Sequence, residues 1–474
     1  MRLYLINPAN PLVSIHGNRS SYWNRYRVWK PLSLLVLAAL TPPNWEVSIL
    51  DENLGPVDYL SLPRPDLVGI TAFTSQADRA YGLAAYFRHL GVPVVMGGIH
   101  ATMCLDEALA RVDAVVAGEA EEIWSQVLQD IQHGRLQRCY RGQPASMDAV
   151  PCARHDLLTT GYAFGAIQTS RGCPLNCSFC SVTAFNGARF RQRPIPAVVE
   201  EFWTIPEKRV LVVDDNLIGV TPAQIARAKE LFRALATAGT GKEWICQASI
   251  NIADDEELLD LAARAGCVGV FIGFESPAPA MRPQLGKKAD LLTTRDLPAA
   301  VARIRHRNIM VVGSFILGLD EDTPGSGKRI VEAAKCYGVD NLNVLFLTPL
   351  PGTKLWKQFE AEGRIALQDF PQDWKYYTLT YPVGRYKHLP LSTAIAEMIS
   401  CNKCFYSLPS IFSRVGHTLL ERRNPVYTLA SNLSSRKNHR LLSEAYADFQ
   451  GTMGYLFAPE RAPAPQIRHP ATEV

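Results

Sequence analysis

Short, continuously apolar runs rich in β-branched residues punctuate the first third of the chain, at Leu3–Ile6, Val47–Leu50, Leu67–Ile70, Val94–Met96 and Ala114–Val116. Each has the length of a strand, and none alternates with polar residues as a one-sided strand would. Helical stretches lie between them, among them Ala77–Leu90 and Glu119–Gln132. Apolar strands separated by amphipathic helices predict a parallel sheet covered on both faces, a Rossmann-like doubly wound α/β domain over residues 1–140. Prolines from Pro144 to Pro151 mark a linker, 141–164. The alternation then resumes, with strands at Ala166–Thr169, Val210–Val213, Ile245–Ser249, Val268–Ile272, Met310–Ile316 and Asn343–Leu347. Helices fall between them at Pro222–Thr237, Asp255–Ala265, Asp296–His306 and Gly325–Tyr337. Six units over residues 165–362 predict a partial (βα)6 barrel rather than a closed eightfold one. Residues 363–457 read as a smaller, mostly helical region, with helices near Leu391–Cys404 and Leu441–Gln450. The Pro-rich end, 458–474, has little to bury and is expected to be disordered.

Ligands of parallel sheets sit beyond the carboxyl ends of the strands, so the residues following each run matter most. In the first domain these are Asn7-Pro8, Asp51-Glu52-Asn53, Thr71-Ala-Phe-Thr-Ser75, Gly97-Gly98-Ile-His100-Ala-Thr102 and Gly118-Glu119. The paired glycines either admit a broad flat ligand or simply turn the chain. No G-x-G-x-x-G follows any of these strands, which argues against a dinucleotide site. In the second domain the first strand runs into Thr169-Ser-Arg-Gly-Cys173-Pro-Leu-Asn-Cys177-Ser-Phe179-Cys180-Ser181.

Three thiolates at Cys-x3-Cys-x2-Cys can converge on one inorganic centre, yet they leave a four-iron cube one ligand short. Structural zinc prefers four protein ligands in paired spacings, and Cys152 and His155 upstream form no such pair. The 11 cysteines, an odd number scattered over 474 residues, do not make a disulfide framework. The net charge of +4, from 49 basic and 45 acidic residues, gives no nucleic-acid footprint. The apolar stretch Leu34–Leu40 is too short to cross a bilayer, and Thr41-Pro-Pro-Asn44 after it is no signal-cleavage site. No transmembrane segment is expected, and free thiols fit a reducing cytoplasm.

Cys173-x3-Cys177-x-Phe179-Cys180 resembles the signature of the radical S-adenosylmethionine (SAM) enzymes. The order of the chain resembles the branch with a cobalamin-binding domain ahead of the barrel, over roughly three quarters of the sequence. The resemblance implies a 4Fe-4S cluster on the three cysteines, with the amino and carboxylate groups of SAM on the fourth iron. One electron then cleaves SAM to a 5′-deoxyadenosyl radical. SAM contacts are implied at Phe179, Asp215, Gln247, Ser249, Glu275 and Gly313. Taken alone, Asp215 could equally cap a helix or make a turn. Gln247 and Ser249 alternate with apolar residues and should face the barrel interior. Cobalamin contacts are implied at Asn7, Thr71, Thr74, Ser75, Gly97, Gly98, His100, Gly118 and Glu119. The Asp-x-His-x-x-Gly motif of cobalt-ligating histidines is absent, since Ser14-Ile-His16-Gly17 lacks its aspartate and glycine spacing. Base-off cobalamin without a histidine from that motif is therefore expected.

The implied activity is cobalamin-dependent methyl transfer to an unactivated carbon of a small molecule or lipid, fed by an electron donor such as flavodoxin or ferredoxin. The same cofactors would serve a ring-forming cyclase or transfer of another SAM fragment; a non-catalytic cobalamin or metal sensor is the alternative of a different class. Tyr22, Trp23, Tyr26 and Trp29, within Arg19–Lys30, either line the corrin or substrate or pack as a loop. Trp374, Tyr376 and Tyr377 either floor an apolar pocket or belong to the core. Cys401-x-x-Cys404 reads as incidental thiols on a helix. Arg414, Arg422, Arg423, Arg436, Lys437 and Arg440 read as a solvated face, with an anionic substrate or lipid surface as the alternative.

Overall fold

The structure, a computed structural model, describes residues 1–10, 12, 29–277, 288–421 and 423–457, with backbone alone at 288–290. His16, Tyr22, Trp23, Tyr26, Arg422 and the terminal stretch 458–474 lie outside the described residues.

Strands β1 (Arg2–Asn7), β2 (Glu46–Asp51), β3 (Leu67–Thr71), β4 (Val94–Gly97), β5 (Ala114–Ala117) and β6 (Cys139–Arg141) form one parallel sheet in the order 2-1-3-4-5-6. Alternate side chains feed two cores. Tyr4, Ile6, Val68 and Ile70 pack on α2 (Ala77–His89), while Leu3, Leu5, Leu67 and Val95 pack on α1 (Leu32–Leu40) and α5 (Trp124–Gln132). Two buried faces explain why the strands are apolar throughout. The apolar stretch at Leu34–Leu40 is a core helix, held between Pro31 and Thr41. Strand order reverses at β1, so a crevice opens beyond the ends of β1 and β3. Helices α3 (Gly98–Met103) and α4 (Leu105–Arg111) follow β4. The helix expected from Glu119 begins only at Trp124, because Glu119 and Glu121 are drawn into ion pairs with the second domain.

The second sheet holds β7 (Gly165–Ile167), β10 (Arg209–Val212), β11 (Glu243–Gln247), β12 (Cys267–Glu275), β13 (Met310–Leu317) and β14 (Asn341–Phe346), parallel and in sequence order. It is an open barrel of six strands. A small antiparallel pair, β8 (Ser170–Arg171) and β9 (Arg191–Gln192), follows β7, and α6 (Ser181–Asn186) lies between its strands. The outer helices are α7 (Ile195–Thr204), α8 (Pro222–Ala238), α9 (Glu256–Arg264), α10 (Lys288–Thr293), α11 (Leu297–Arg305) and α12 (Ser326–Tyr337). Side-chain caps start several of them: Thr221 and Gln224 form a reciprocal capping box, and Asp255 and Asp296 accept from Leu258 and Ala299 amides.

The chain after β14 completes what six strands leave open. It contributes α13 (Lys354–Ala361), α14 (Leu391–Phe405), α15 (Leu408–Leu420) and α16 (Pro425–Thr452). At the β14 edge the Tyr406 hydroxyl accepts from the Leu342 amide at 2.9 Å and lies 2.6 Å from the Leu342 carbonyl. The start of α16 closes the amino end of the barrel: Tyr427 donates to Glu243, and Asn432 Nδ2 donates to the Asp340 carbonyl at 2.9 Å. Much of the basic set serves this packing. Arg414 lies over the Phe405 ring and donates to Asn432, Arg423 pairs with Asp340, and Arg436 donates to the Tyr406 carbonyl. Burial pushes the Arg414 guanidinium down to about 10. Cys401 is buried against the Gly327 carbonyl and Cys404 is exposed. No helix among the described residues is long and apolar enough to cross a membrane.

Tyr406→Phe keeps the ring and removes the group that satisfies a buried strand edge. The urea midpoint should fall by an amount equivalent to about 1–3 kcal/mol; an unchanged midpoint would show that β14 does not depend on this hydroxyl.

Candidate functional site

The cysteine loop leaves the carboxyl end of β7 and returns through β9, so the pairing of Arg171 with Arg191 closes its base. Gly172 adopts φ +86, and a side chain there would overlap the Arg189 carbonyl, so only glycine permits this closure. Cys173, Cys177 and Cys180 are all half-buried. Inside the loop, the Cys180 amide donates to the Cys177 carbonyl at 3.3 Å. Helix α13 holds the tip: the Leu355 amide donates to the Ser178 carbonyl at 3.0 Å, and Lys354 Nζ reaches Asn176 Oδ1 at 3.3 Å. Among the described residues no three His, Cys, Asp or Glu side chains gather as a one-ion site. Three thiols on one loop, with no fourth ligand in its motif, suit an iron–sulfur cube better than tetrahedral zinc.

Two adjacent carboxylates beyond β10 anchor this loop. Asp214 is fully buried and accepts from the Thr169 amide, the Thr169 hydroxyl and the Ser170 hydroxyl, each at 2.6 Å. Asp215, expected at SAM, accepts instead from the Gly172 amide at 3.0 Å and from Asn186 Nδ2 at 3.1 Å. One carboxylate thus fixes the residues before the first cysteine and the other ties both ends of the loop. Asp214 was not singled out from the sequence. Its signal is the pair itself, since two consecutive carboxylates after an apolar strand leave at least one facing inward.

The remaining expected SAM residues divide. Trp244 and Cys246 are buried towards α8, with Trp244 5.3 Å from Phe232, so Gln247 points into the barrel mouth, where it is exposed. Ser249 lies beyond the strand and is buried, and its hydroxyl accepts from Asn216 Nδ2 at 3.0 Å. Glu275 ends β12 with φ +62, at a register shift against β13. A left-handed glutamate carries backbone strain, which concentrates at sites of function. Gly313 faces the helix layer: an added Cβ would stand 2.8 Å from Val339 and 3.3 Å from the Phe274 ring. Its missing side chain serves packing, which leaves only its backbone for a ligand. Phe179 packs against the main core between two of the cysteines.

The first domain's strand ends also divide. Thr71, Thr74 and Ser75 line the end of β3, and their hydroxyls have no hydrogen-bond partner among the described residues. Gly98, with φ +88, brings its backbone against them, since a Cβ would stand 2.7 Å from Thr71 Oγ1. Gly97 is under no such constraint. Thr102 Oγ1 accepts from the Gly118 amide at 3.0 Å and donates to the Gly98 carbonyl at 2.9 Å, tying β4 to β5. Asn7 is engaged below this rim, donating to Asp51 at 3.0 Å and accepting from Gln76 at 3.1 Å.

His100 is not part of the open rim. It is wholly buried, with Nε2 2.9 Å from the Tyr81 hydroxyl and 3.4 Å from Glu107. Its ring meets Trp374 edge-on at 5.5 Å, and Trp374 Nε1 lies 3.1 Å from both Glu107 oxygens. Trp374, Tyr376 and Tyr377 are buried, so these aromatics belong to the core, with Trp374 at the junction of the domains. Glu119 is likewise engaged elsewhere. Its carboxylate is held by Arg171 at 2.8 Å, by Arg191, and by the Ala145 amide at 3.0 Å. Burial pushes the Glu119 carboxyl up, but its hydrogen bond from Arg191 and attraction to Arg171 outweigh this, leaving it below the usual range.

Burial pushes the Asp214 carboxyl up to about 6. Between about pH 4 and 6 the folded chain keeps a proton that the unfolded chain has released. Asp214 therefore favours folding below about pH 4, and that contribution is lost as pH rises through about 6. Asp214→Asn removes it. The stability of the native protein relative to this variant should fall by roughly 2.5 kcal/mol between pH 4 and pH 7 in urea titrations; a pH-independent difference would contradict a buried protonated carboxyl.

The comparisons with known proteins cover both halves of this arrangement. Residues 167–334 match the radical SAM superfamily and residues 24–128 match the B12 binding domain. A bacteriochlorophyllide d C-12(1)-methyltransferase of Chlorobaculum tepidum is 28% identical over 81% of this chain and 84% of its own length. The hopanoid C-2 methylase of Rhodopseudomonas palustris is 27% identical over 72% and 66%. The fold matches that of the radical S-adenosylmethionine methyltransferase TsrM of Kitasatospora setae, with a TM-score of 0.67 at 20% identity over 84% of this chain and 88% of that one. A three-cysteine loop at the mouth of a six-stranded barrel, joined to a B12-type sheet, thus has one reading: the chain belongs to the radical SAM enzymes that carry a cobalamin-binding domain.

Proposed function

We propose that this enzyme transfers a methyl group from a corrinoid to a carbon of a small apolar molecule or lipid, using a 4Fe-4S cluster and SAM. The observation that carries the reading is the junction of the two strand-end faces, where Arg171, two residues before Cys173, pairs with Glu119 of the B12-type domain. The named substrates of the two relatives, a bacteriochlorophyllide and a hopanoid, support a bulky, largely apolar substrate.

In this reading Cys173, Cys177 and Cys180 hold the cluster as thiolates, and Asp214 and Asp215 keep the loop in shape around it. Gln247 and Glu275, at the ends of neighbouring strands, offer polar groups to SAM, with Phe179 bounding the site. Thr71, Thr74 and Ser75 offer hydroxyls to the corrin edge, and Gly97 and Gly98 let the backbone approach it. Phe73 is largely exposed among them. When bound, the cluster and SAM supply one-electron cleavage of a C–S bond, and the corrinoid supplies the methyl group. No cobalt-ligating histidine motif stands in the sequence, so a corrinoid would be held here by the hydroxyls and glycine backbone of the rim rather than by a histidine of that motif. A small reducing protein such as a flavodoxin or ferredoxin supplies the electron.

The test is anaerobic reconstitution with iron, sulfide and cobalamin, followed by dithionite-driven SAM cleavage. The native protein should release 5′-deoxyadenosine, and Cys177→Ala should lower the rate by at least about 100-fold, since loss of a ligand removes the reacting centre. A Cys177→Ala protein that still cleaves SAM reductively would refute the assignment. Product mass then separates methyl gain from the hydrogen loss of a cyclase.

A further inference from the structure

We propose that Glu119 and Glu121 are positioning residues that latch the corrinoid domain onto the base of the cysteine loop. This rests on the two-cofactor reading above and assigns those carboxylates a role other than touching cobalamin. Three observations carry it.

The first is where the residues stand. Gly118 follows β5, tied through Thr102 to Gly98 on the ligand-facing rim, and Glu119 follows directly. On the other side, Arg171 and Arg191 face each other across β8 and β9, where the cysteine loop leaves and returns. One short segment, Gly118 to Glu121, therefore touches both cofactor faces.

The second is the completeness of the pairing. Arg171 reaches Glu119 at 2.8 Å and also pairs with Glu121, while its Nε donates to Gln168 at 2.7 Å. Arg191 pairs with Glu119 and donates to the Ala145 carbonyl at 2.8 Å, and the Ala145 amide returns a bond to Glu119. All four charged side chains are at most 11% exposed. Two carboxylates and two guanidiniums balance, and the pairs are shielded from salt. The backbone is fixed as well, since a side chain at Gly142 would overlap the Glu119 carbonyl.

The third is that general docking is provided elsewhere. The Trp374–His100–Glu107 contact and the packing of Gly352 on Met103 already join the domains. The ion pairs add a separate attachment on the cysteine loop itself, next to Gly172, whose amide Asp215 holds from the barrel side. The loop base is gripped by carboxylates from both domains. Losing Glu119 would leave the first domain's hold on it to the single Glu121–Arg171 pair, and the two cofactors would lose their fixed spacing.

The test uses full-length Glu119→Gln and Glu121→Gln beside the native protein. In cofactor-free protein, hydrogen exchange should rise about tenfold in residues 117–122 and 169–192 together in Glu119→Gln, with the barrel strands unchanged. After loading with cluster and hydroxocobalamin and reducing, pulsed paramagnetic resonance should show one narrow cobalt-to-cluster distance in the native protein and a broadened one in the variant. Glu119→Asp, which keeps the charge, should restore most of the narrow distribution. Glu121→Gln, which removes one pair, should show the same changes to a smaller extent, and it decides the matter if Glu119→Gln does not fold. Native-like exchange and spacing in the folded variants would overturn the proposal, as would exchange rising in one segment alone. If the native protein loads both cofactors but releases no deoxyadenosine, the functional reading fails while the spacing still judges the latch.

Discussion

In the proposed reading three thiolates on one loop must present a fixed triangle, while the ligand set that would lock them stays incomplete. A fourth protein ligand would rigidify the loop and close the position that SAM needs. The rigidity has to come from bonds at the base of the loop. Here it comes from carboxylates: Asp214 and Asp215 from the barrel side, and Glu119 and Glu121 from the preceding domain through Arg171 and Arg191. Low local dielectric strengthens such hydrogen bonds and makes an unpaired member costly, so the base behaves as a unit.

The same constraint orders the rest of the molecule. A six-stranded open barrel has exposed edges and an open amino end. The helices after β14 satisfy the edge through Tyr406 and close the floor through Tyr427 and Asn432. Chemistry is confined to the opposite end, where strand termini supply polar groups. The first sheet delivers its own strand ends to that end, and the Trp374–His100–Glu107 contact and the Glu119 ion pairs hold it there from two separate points.

How much of this was legible in the sequence depends on whether the signal is local. Both sheets follow from uninterrupted apolar runs, and the cysteine loop from its own spacing. The family was readable because its cysteine motif is compact. What could not be read were partnerships between distant segments. His100 and Glu119 stand in motifs that follow strand ends, yet their side chains answer to Trp374 and to Arg171 and Arg191, which lie far along the chain. Glu119 also shows tertiary pairing overriding helical periodicity, since it lies outside the helix its pattern predicts. Gly313 is implied as a SAM contact, but it lies within β13, where strand orientation turns it to the Phe274 and Val339 packing layer. Ser249 shares the polar alternation of Gln247 but falls beyond the strand end, where Asn216 engages it. A polar residue at a strand terminus thus marks the functional end of a fold without saying whether it meets a ligand or braces one that does.

The central claim is a cube held by three protein thiolates with one iron reserved for SAM. Mössbauer spectra of protein reconstituted with iron-57, recorded with and without SAM, test it most directly. The account predicts a single cubane in which one iron of the four changes its spectrum when SAM is added. The absence of a cubane, or four irons indifferent to SAM, would contradict it.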